Sequence, residues 1–194
     1  MTPPQPILLD ALRRWQVPNR AVSGLLELRE TPPVSWMRTW LASRQLVALL
    51  SGSVGTGKTV AACVVLLEHF REVHPFMSVP GDLPPRILPR HALFVPMAEL
   101  ASLSLWDPED RSMRGRAERS EFLILDDLGT ERGDGAAAVQ ALVSARVSSG
   151  LRTVLTTNLG LDDFAVRYGA RVMDRIRGDG SAFRANGPSL RGQS

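Results

Sequence analysis

The residues best able to do chemistry lie in three short stretches. The first, Gly52-Ser53-Val54-Gly55-Thr56-Gly57-Lys58-Thr59, fits G-x-x-x-x-G-K-[ST]. Glycines in such a loop let successive backbone N–H groups curl around phosphate oxygens, and a helix opening at its end adds partial positive charge. Lys58 is the single lysine in a chain that carries 22 arginines. A compact ammonium on a flexible stem suits β- and γ-phosphate oxygens better than a planar guanidinium fork does. The Thr59 hydroxyl can ligate Mg²⁺, and Val60 carries the loop into the helix. The second stretch, "FLILDDLG" at residues 122 to 129, ends an apolar run in two carboxylates. Asp126 there can hold Mg²⁺ through water, and Asp127 can orient or deprotonate an attacking water. The third is Asn158, closing "RTVLTTN". Its neutral amide can hydrogen-bond that water or a γ-phosphate without adding charge. Together they predict ATP and Mg²⁺ as ligands.

Such groups need elements that bring them together. "QLVALLSG" is a short apolar run stopped by glycine, which predicts a buried strand, and "GKTVAACVVLLEHFREV" predicts a buried helix. "HALFVP", "EFLILDD" and "RTVLTTN" read as further strands, and the tail "SAFRANGPSLRGQS" can supply one more. "MAELASLSLW", "GAAAVQALVSARVSSG" and "LDDFAVRYGARVMDRIRG" read as helices, the second closed by a glycine suited to a C-cap. "RSMRGRAERS" reads as a polar connection. The sixteen residues from 75 to 90 hold five prolines and predict an irregular surface excursion. Apolar strands alternating with helices imply an α/β fold: a parallel sheet covered on both faces, with the loops after the strands along one edge.

The bulk numbers are those of one soluble domain: 194 residues, 44% hydrophobic, 22% charged, formal net charge +3. The basic set is almost entirely arginine, which admits nucleic acid as a partner. One cysteine, Cys63, in an apolar run, predicts a buried side chain and no internal disulfide. His69, His74 and His91 show no zinc-ligand spacing. The N-terminus is not patterned as a signal peptide, and no apolar run reaches the roughly 18 residues that would span a bilayer. The expected compartment is the cytoplasm, with no membrane partner. Residues 1–44, punctuated by prolines, read as a short N-terminal leader or partner-binding segment ahead of a core at 45–194. Trp36 and Trp40 share one helical face in it and read as a core stripe.

"GSVGTGKT", "FLILDDLG", "TVLTTN" and "YGARVMDRIR" together resemble the AAA+ ATPases of the DnaC/IstB type, which are replicative helicase loaders and transposition helpers. The resemblance spans roughly residues 45 to 191. It implies a P-loop NTPase core with little or no C-terminal lid, and ATP held between subunits of a homo-oligomer. Arg175 matches the arginine that reaches a neighbour's γ-phosphate, with Arg171 four residues earlier on the same face as its rival. Arg191 matches a tail arginine that senses nucleotide in cis. The leader's "WQVPNR" is similar to a segment that packs near adenine in the family. Arg146 matches a frequent arginine with no role attached. Arg111, Arg114, Arg116 and Arg119 fall where family members track single-stranded DNA, amid Asp107, Glu109, Asp110, Glu118 and Glu121. The implied function is a slow, assembly- or DNA-stimulated ATPase that loads a replicative helicase on single-stranded DNA. The alternatives are a duplex-binding helper that recruits a transposase and a nucleotide-gated adaptor. Asp127 stands where many AAA+ enzymes carry glutamate, and its shorter arm implies slow hydrolysis.

Overall fold

The computed structural model describes residues 11–26, 30–73, 91–97, 108–131 and 134–190. In chain order the elements are α1 (Asn19–Leu26), α2 (Pro32–Ala42), β1 (Val47–Gly52), α3 (Lys58–Val73), β2 (Ala92–Pro96), α4 (Pro108–Arg119), β3 (Phe122–Leu128), α5 (Gly135–Ser148), β4 (Arg152–Thr157), α6 (Leu161–Asp179) and β5 (Gly180–Ala185). The five strands form one sheet in the order β2-β3-β4-β1-β5, and every neighbouring pair is parallel. This is the α/β architecture that the apolar strands predict.

Direction of travel along the sheet decides which face each helix covers. The step from β1 to β2 runs towards one edge, and every later step runs back towards the other. Crossovers of a single hand then place the first helix on one face and the later ones opposite. The core divides accordingly. Ala48 and Leu50 of β1 pack with α1, α2 and α3. Val47 and Leu49, alternating with them, pack with α4, α5 and α6. Both faces are dry, so strand side chains of either parity are apolar.

Residues 11–26 and 30–42, within the 1–44 stretch read from sequence as a leader, supply much of the first face. Trp15, Met37 and Trp40 are buried in the same cluster as Ala48 and Leu50. Trp15 meets Phe70 edge-on at 4.7 Å, and the Phe94 N–H donates to the Trp15 carbonyl at 2.8 Å. Trp36 stacks on Phe183 at 5.3 Å. Cys63 is buried in α3, and burial pushes its thiol well above the ordinary range.

The "RSMRGRAERS" stretch is a helix, not a connection. Pro108 opens α4, where a missing N–H costs nothing, and Arg114 pairs with Glu118 one turn on at 3.0 Å. Among the described side chains of α4, only Met113 and Ala117 turn towards the second core cluster. A helix with so narrow an apolar stripe leaves almost no 3.6-residue signal. The expected helix over 97–106 and the proline-rich excursion lie outside the described residues, except for Met97 at the helix start.

Arg146 has a structural role that the sequence does not disclose. It is fully buried at the sheet edge where β3 and β4 begin. Its guanidinium donates to the carbonyls of Ala117 at 2.6 Å, Ser120 at 2.8 Å and Arg152 at 2.6 Å, and to the Thr153 hydroxyl at 2.8 Å. One side chain therefore caps the end of α4 and ties two strands to α5. Burial pulls its pKa down to about 9, so it stays charged at neutral pH. Arg146→Leu leaves two buried carbonyls and one part-buried carbonyl without that donor and is expected to cost on the order of 3 kcal/mol. Arg146→Lys should recover only part of this, because an ammonium cannot span the fork. Urea midpoints at constant m would show it, and an Arg146→Leu midpoint equal to the native one would refute the clamp.

Candidate functional site

β1 and β4 are neighbours whose following helices leave to opposite faces, α3 to one and α6 to the other. A crevice opens above the strand ends at such a reversal. The loop after β1, the end of β3 and the residue after β4 all meet there.

The loop turns through Gly55 at φ 85°, and a Cβ there would sit 2.1 Å from Ser189 Oγ. The Leu190 N–H donates to the Gly55 carbonyl at 2.8 Å, so the chain beyond β5 crosses the loop. Thr56 Oγ1 donates back to Ser53 O at 2.9 Å and closes the turn. Lys58 lies buried at the start of α3. Its Nζ donates to the carbonyls of Gly52 and Ser53, each at 2.7 Å, and to Asn158 Oδ1 at 3.1 Å.

At the end of β3, Asp126 Oδ1 accepts from Thr59 Oγ1 at 2.8 Å and from Thr156 Oγ1 at 2.7 Å. Asp126 is 2% exposed, and burial raises its carboxyl pKa against the pull of those two hydroxyls. The next residue breaks the strand. The β3–β4 register shifts between Leu125 and Leu128, and Asp127 adopts φ 63°. Its N–H donates to Thr156 Oγ1 at 3.0 Å in place of a ladder partner. Aspartate tolerates the left-handed region better than most residues, and such outliers collect at functional sites. The bulge turns consecutive carboxylates to different surroundings, Asp126 inward and Asp127 into the crevice.

Asn158 joins the two halves. Its Nδ2 donates to Asp127 Oδ1 at 2.6 Å while its Oδ1 accepts from Lys58. A lysine can only donate and an ionised carboxylate can only accept, so the amide orientation is fixed by its neighbours. Below it, Thr157 Oγ1 donates to Leu128 O at 2.7 Å and Ser51 Oγ to Leu159 O at 2.9 Å.

Lys58, Thr59, Asp126, Asp127 and Asn158 are thus one hydrogen-bonded group. The arginines singled out in the sequence lie elsewhere. Arg175 is late in α6, facing Asp179 at 3.7 Å, and the Asp179 carbonyl accepts from Leu46 N–H at 2.6 Å. Leu46 precedes β1, so this end of α6 lies at the sheet edge opposite the loop. Arg171 is exposed on the same helix. Arg116 and Arg119 close α4, just before β3 begins at that far edge, and Arg114 is engaged by Glu118. The Arg111 side chain and all of Arg191 lie outside the described residues.

Two participants escaped the sequence reading. Thr156 looks like one more strand residue, yet its hydroxyl accepts from the Asp127 backbone and donates to Asp126. Glu131, two residues past Gly129, is buried and accepts from Gly129 N–H at 2.9 Å, Arg167 Nε at 2.7 Å and Tyr168 OH at 2.5 Å. Burial alone would raise its carboxyl, but those donors bring it below the usual carboxylate range. Its signal was an isolated acid in a turn, which is the commonest of surface features.

Solved structures of similar fold are informative. A DnaC helicase loader matches at TM-score 0.59 and 19% identity, over 96% of this chain and 94% of that one. The likeness is one of fold. DnaI matches at TM-score 0.58 and 21% identity, over 81% and 82% of the two chains. The replication initiator DnaA bound to AMPPCP and single-stranded DNA matches at TM-score 0.57 and 14% identity, over 80% of this chain and 45% of that one. No protein-family model and no curated protein sequence matches the chain. Among the described residues no helix is long and apolar enough to cross a membrane.

The Asp126 environment makes a testable demand. Its folded pKa is raised, so the unfolded chain ionises first as pH climbs, and the native state then holds more protons. Stability attributable to this group is full below the ordinary carboxylate pKa and is lost as pH rises through the raised value. At neutral pH the native protein carries the cost of a buried charge. Without nucleotide, Asp126→Asn is therefore expected to melt no lower than the native chain at pH 7, and its advantage should shrink at pH 4. A lower melting temperature at pH 7 would show that Asp126 is a stabilising partner and not a buried liability.

Proposed function

We propose that this chain is an ATP-hydrolysing accessory protein of DNA replication, a loader that engages single-stranded DNA and a replicative helicase. The observation that carries the reading is the Lys58–Asn158–Asp127 bridge beside the Thr59–Asp126 pair, at the sheet's reversal point, in a chain with a helicase loader's fold along nearly its whole length.

Each residue then has a task. The backbone from Gly52 to Val60 cradles the phosphates, and the Lys58 ammonium moves from loop carbonyls to β- and γ-phosphate oxygens. Thr59 and Asp126 offer hard oxygen donors side by side, and both bonds to the carboxylate come from neutral hydroxyls. That donor set fits Mg²⁺, which when bound would neutralise charge on the phosphate oxygens. Asp127 accepts a proton from the attacking water, and Asn158 orients that water from its bridging position. Asp127 shares Oδ1 with Asn158, and its short arm suits slow turnover.

Arg175 lies at the far edge of its own sheet, so its phosphate contact is assigned to a neighbouring subunit in a homo-oligomer with ATP at each junction. Arg191 directly follows Leu190, which rests on Gly55, and is assigned the contact in cis. Arg114, Arg116 and Arg119 of α4, with Arg111 at its start, are assigned to DNA phosphates. That a DnaA structure of this fold holds AMPPCP and single-stranded DNA supports both ligand classes.

Steady-state ATP hydrolysis, alone and with single-stranded or duplex DNA at two salt concentrations, tests the reading. Stimulation by single strands that fades with salt is expected. Lys58→Ala should lose about 100-fold or more in turnover. Stimulation by duplex alone would replace the loader with a transposition helper. ATP binding without turnover in any condition would leave a nucleotide-gated adaptor.

A further inference from the structure

The link between the candidate site and the helix that carries Arg175 runs through Glu131. Asp127 begins it: Thr130 Oγ1 donates to the Asp127 carbonyl at 2.8 Å. Glu131 follows, its side chain fully buried, holding Gly129 with one carboxylate oxygen and both Arg167 and Tyr168 with the other. Arg167 Nη2 also donates to the Glu131 carbonyl at 2.5 Å. Two successive α6 residues are therefore fastened to the loop behind Asp127.

The next residue of α6 is where the helix breaks. Gly169 has φ 75° and ψ 169°, a conformation essentially confined to glycine. Past the break, Val172, Met173 and Ile176 anchor the second half in the core, and that half carries Arg171 and Arg175. α6 is thus two short helices packed on one core cluster, the first through Phe164 and Tyr168 and the second through Val172, Met173 and Ile176. Only the first half is also hydrogen-bonded to residues contiguous with the candidate catalytic carboxylate. The angle at Gly169 is set by the packing and by those bonds.

A buried carboxylate is a poor choice for stability alone, since an apolar side chain of similar volume avoids the cost of desolvating charge. What it offers is direction: three donors converge on two oxygens and fix two elements relative to each other. We propose that Glu131 is a positioning residue that sets the two halves of α6 about Gly169 and so governs how Arg175 is presented to a neighbouring subunit. This rests on the reading that Arg175 acts in trans. Rearrangement at Asp127 during a catalytic cycle would then alter the arginine offered next door, which couples successive sites.

Mixed assemblies separate the two claims. Lys58→Ala subunits cannot engage phosphate but still present Arg175, and Arg175→Ala subunits do the reverse. Mixing them should restore turnover where an Arg175→Ala site faces a Lys58→Ala neighbour. Glu131→Gln is then added to one partner at a time. Placed in the arginine-donating subunit, it should lower the restored kcat about tenfold with little change in KM, as misplacing a reacting group does. Placed in the nucleotide-holding subunit, it should change kcat less than twofold. Tyr168→Phe removes one bond to the same oxygen and should give a smaller loss in the same arm, which keeps the test open if Glu131→Gln folds poorly. Loss confined to the nucleotide-holding arm, or equal in both, overturns the proposal while leaving the trans site intact. Failure of Lys58→Ala and Arg175→Ala to complement at all overturns the trans site, and the role of Glu131 falls with it.

Discussion

Everything at the candidate site follows from a carboxylate buried at the end of an apolar strand. Asp126 sits where β3 leaves the core, 2% exposed, and its charge must be matched by donors from both neighbouring elements. Thr59 supplies one from α3 and Thr156 supplies another from β4. Those bonds fix the start of α3 against the sheet, and with it Lys58. Thr156 also accepts the Asp127 N–H, so the same hydroxyl that satisfies the buried carboxylate holds the bulge that turns its neighbour outward. One threonine thereby separates two adjacent aspartates into different environments, which gives them different chemistry.

The parts of the fold that were legible are those in which composition and position coincide. Strands buried on both faces must be apolar throughout, so β1, β3 and β4 stand out from the sequence, and glycine at a sharp turn marks the loop. Lys58 was conspicuous because the chain avoids lysine everywhere else. α4 was illegible for the opposite reason: among its described side chains only Met113 and Ala117 pack on the core, and most of the helix is charged. Arg146 shows the same limit at one residue. Its type suggests a surface or a ligand, yet its partners come from the end of α4, the turn after it and the start of β4, and only folding brings those three carbonyls and the Thr153 hydroxyl to one point.

Site residues divided along a similar line. Lys58, Thr59, Asp126, Asp127 and Asn158 stand at strand ends on one sheet edge, a placement that topology alone predicts, and they meet as a single hydrogen-bonded group. Glu131 and Thr156 could not be found this way, because their importance lies in what they hold and not in their own chemistry. Residues 11–26 and 30–42 carry the related lesson for domains. Prolines punctuate the stretch and mark it as a leader, yet prolines also open helices, as at Pro32 and Pro33, and α2 lays Met37 and Trp40 into the core, as the tryptophan stripe implies.

The bonds around Asn158 bear on how a bound phosphate would act on the site. Lys58, Asn158 and Asp127 are bonded in series, so phosphate that draws Lys58 away also removes one of the two bonds orienting the amide. The amide can then turn towards water or phosphate without giving up Asp127. A neutral side chain suits this place because it accepts from a cation and donates to an anion at once, which no charged residue could do. On the other side, Asp127 is continuous with Thr130 and Glu131, and Glu131 grips α6 just before the helix breaks. The crevice is therefore mechanically continuous with the far edge of the sheet along one short run of chain.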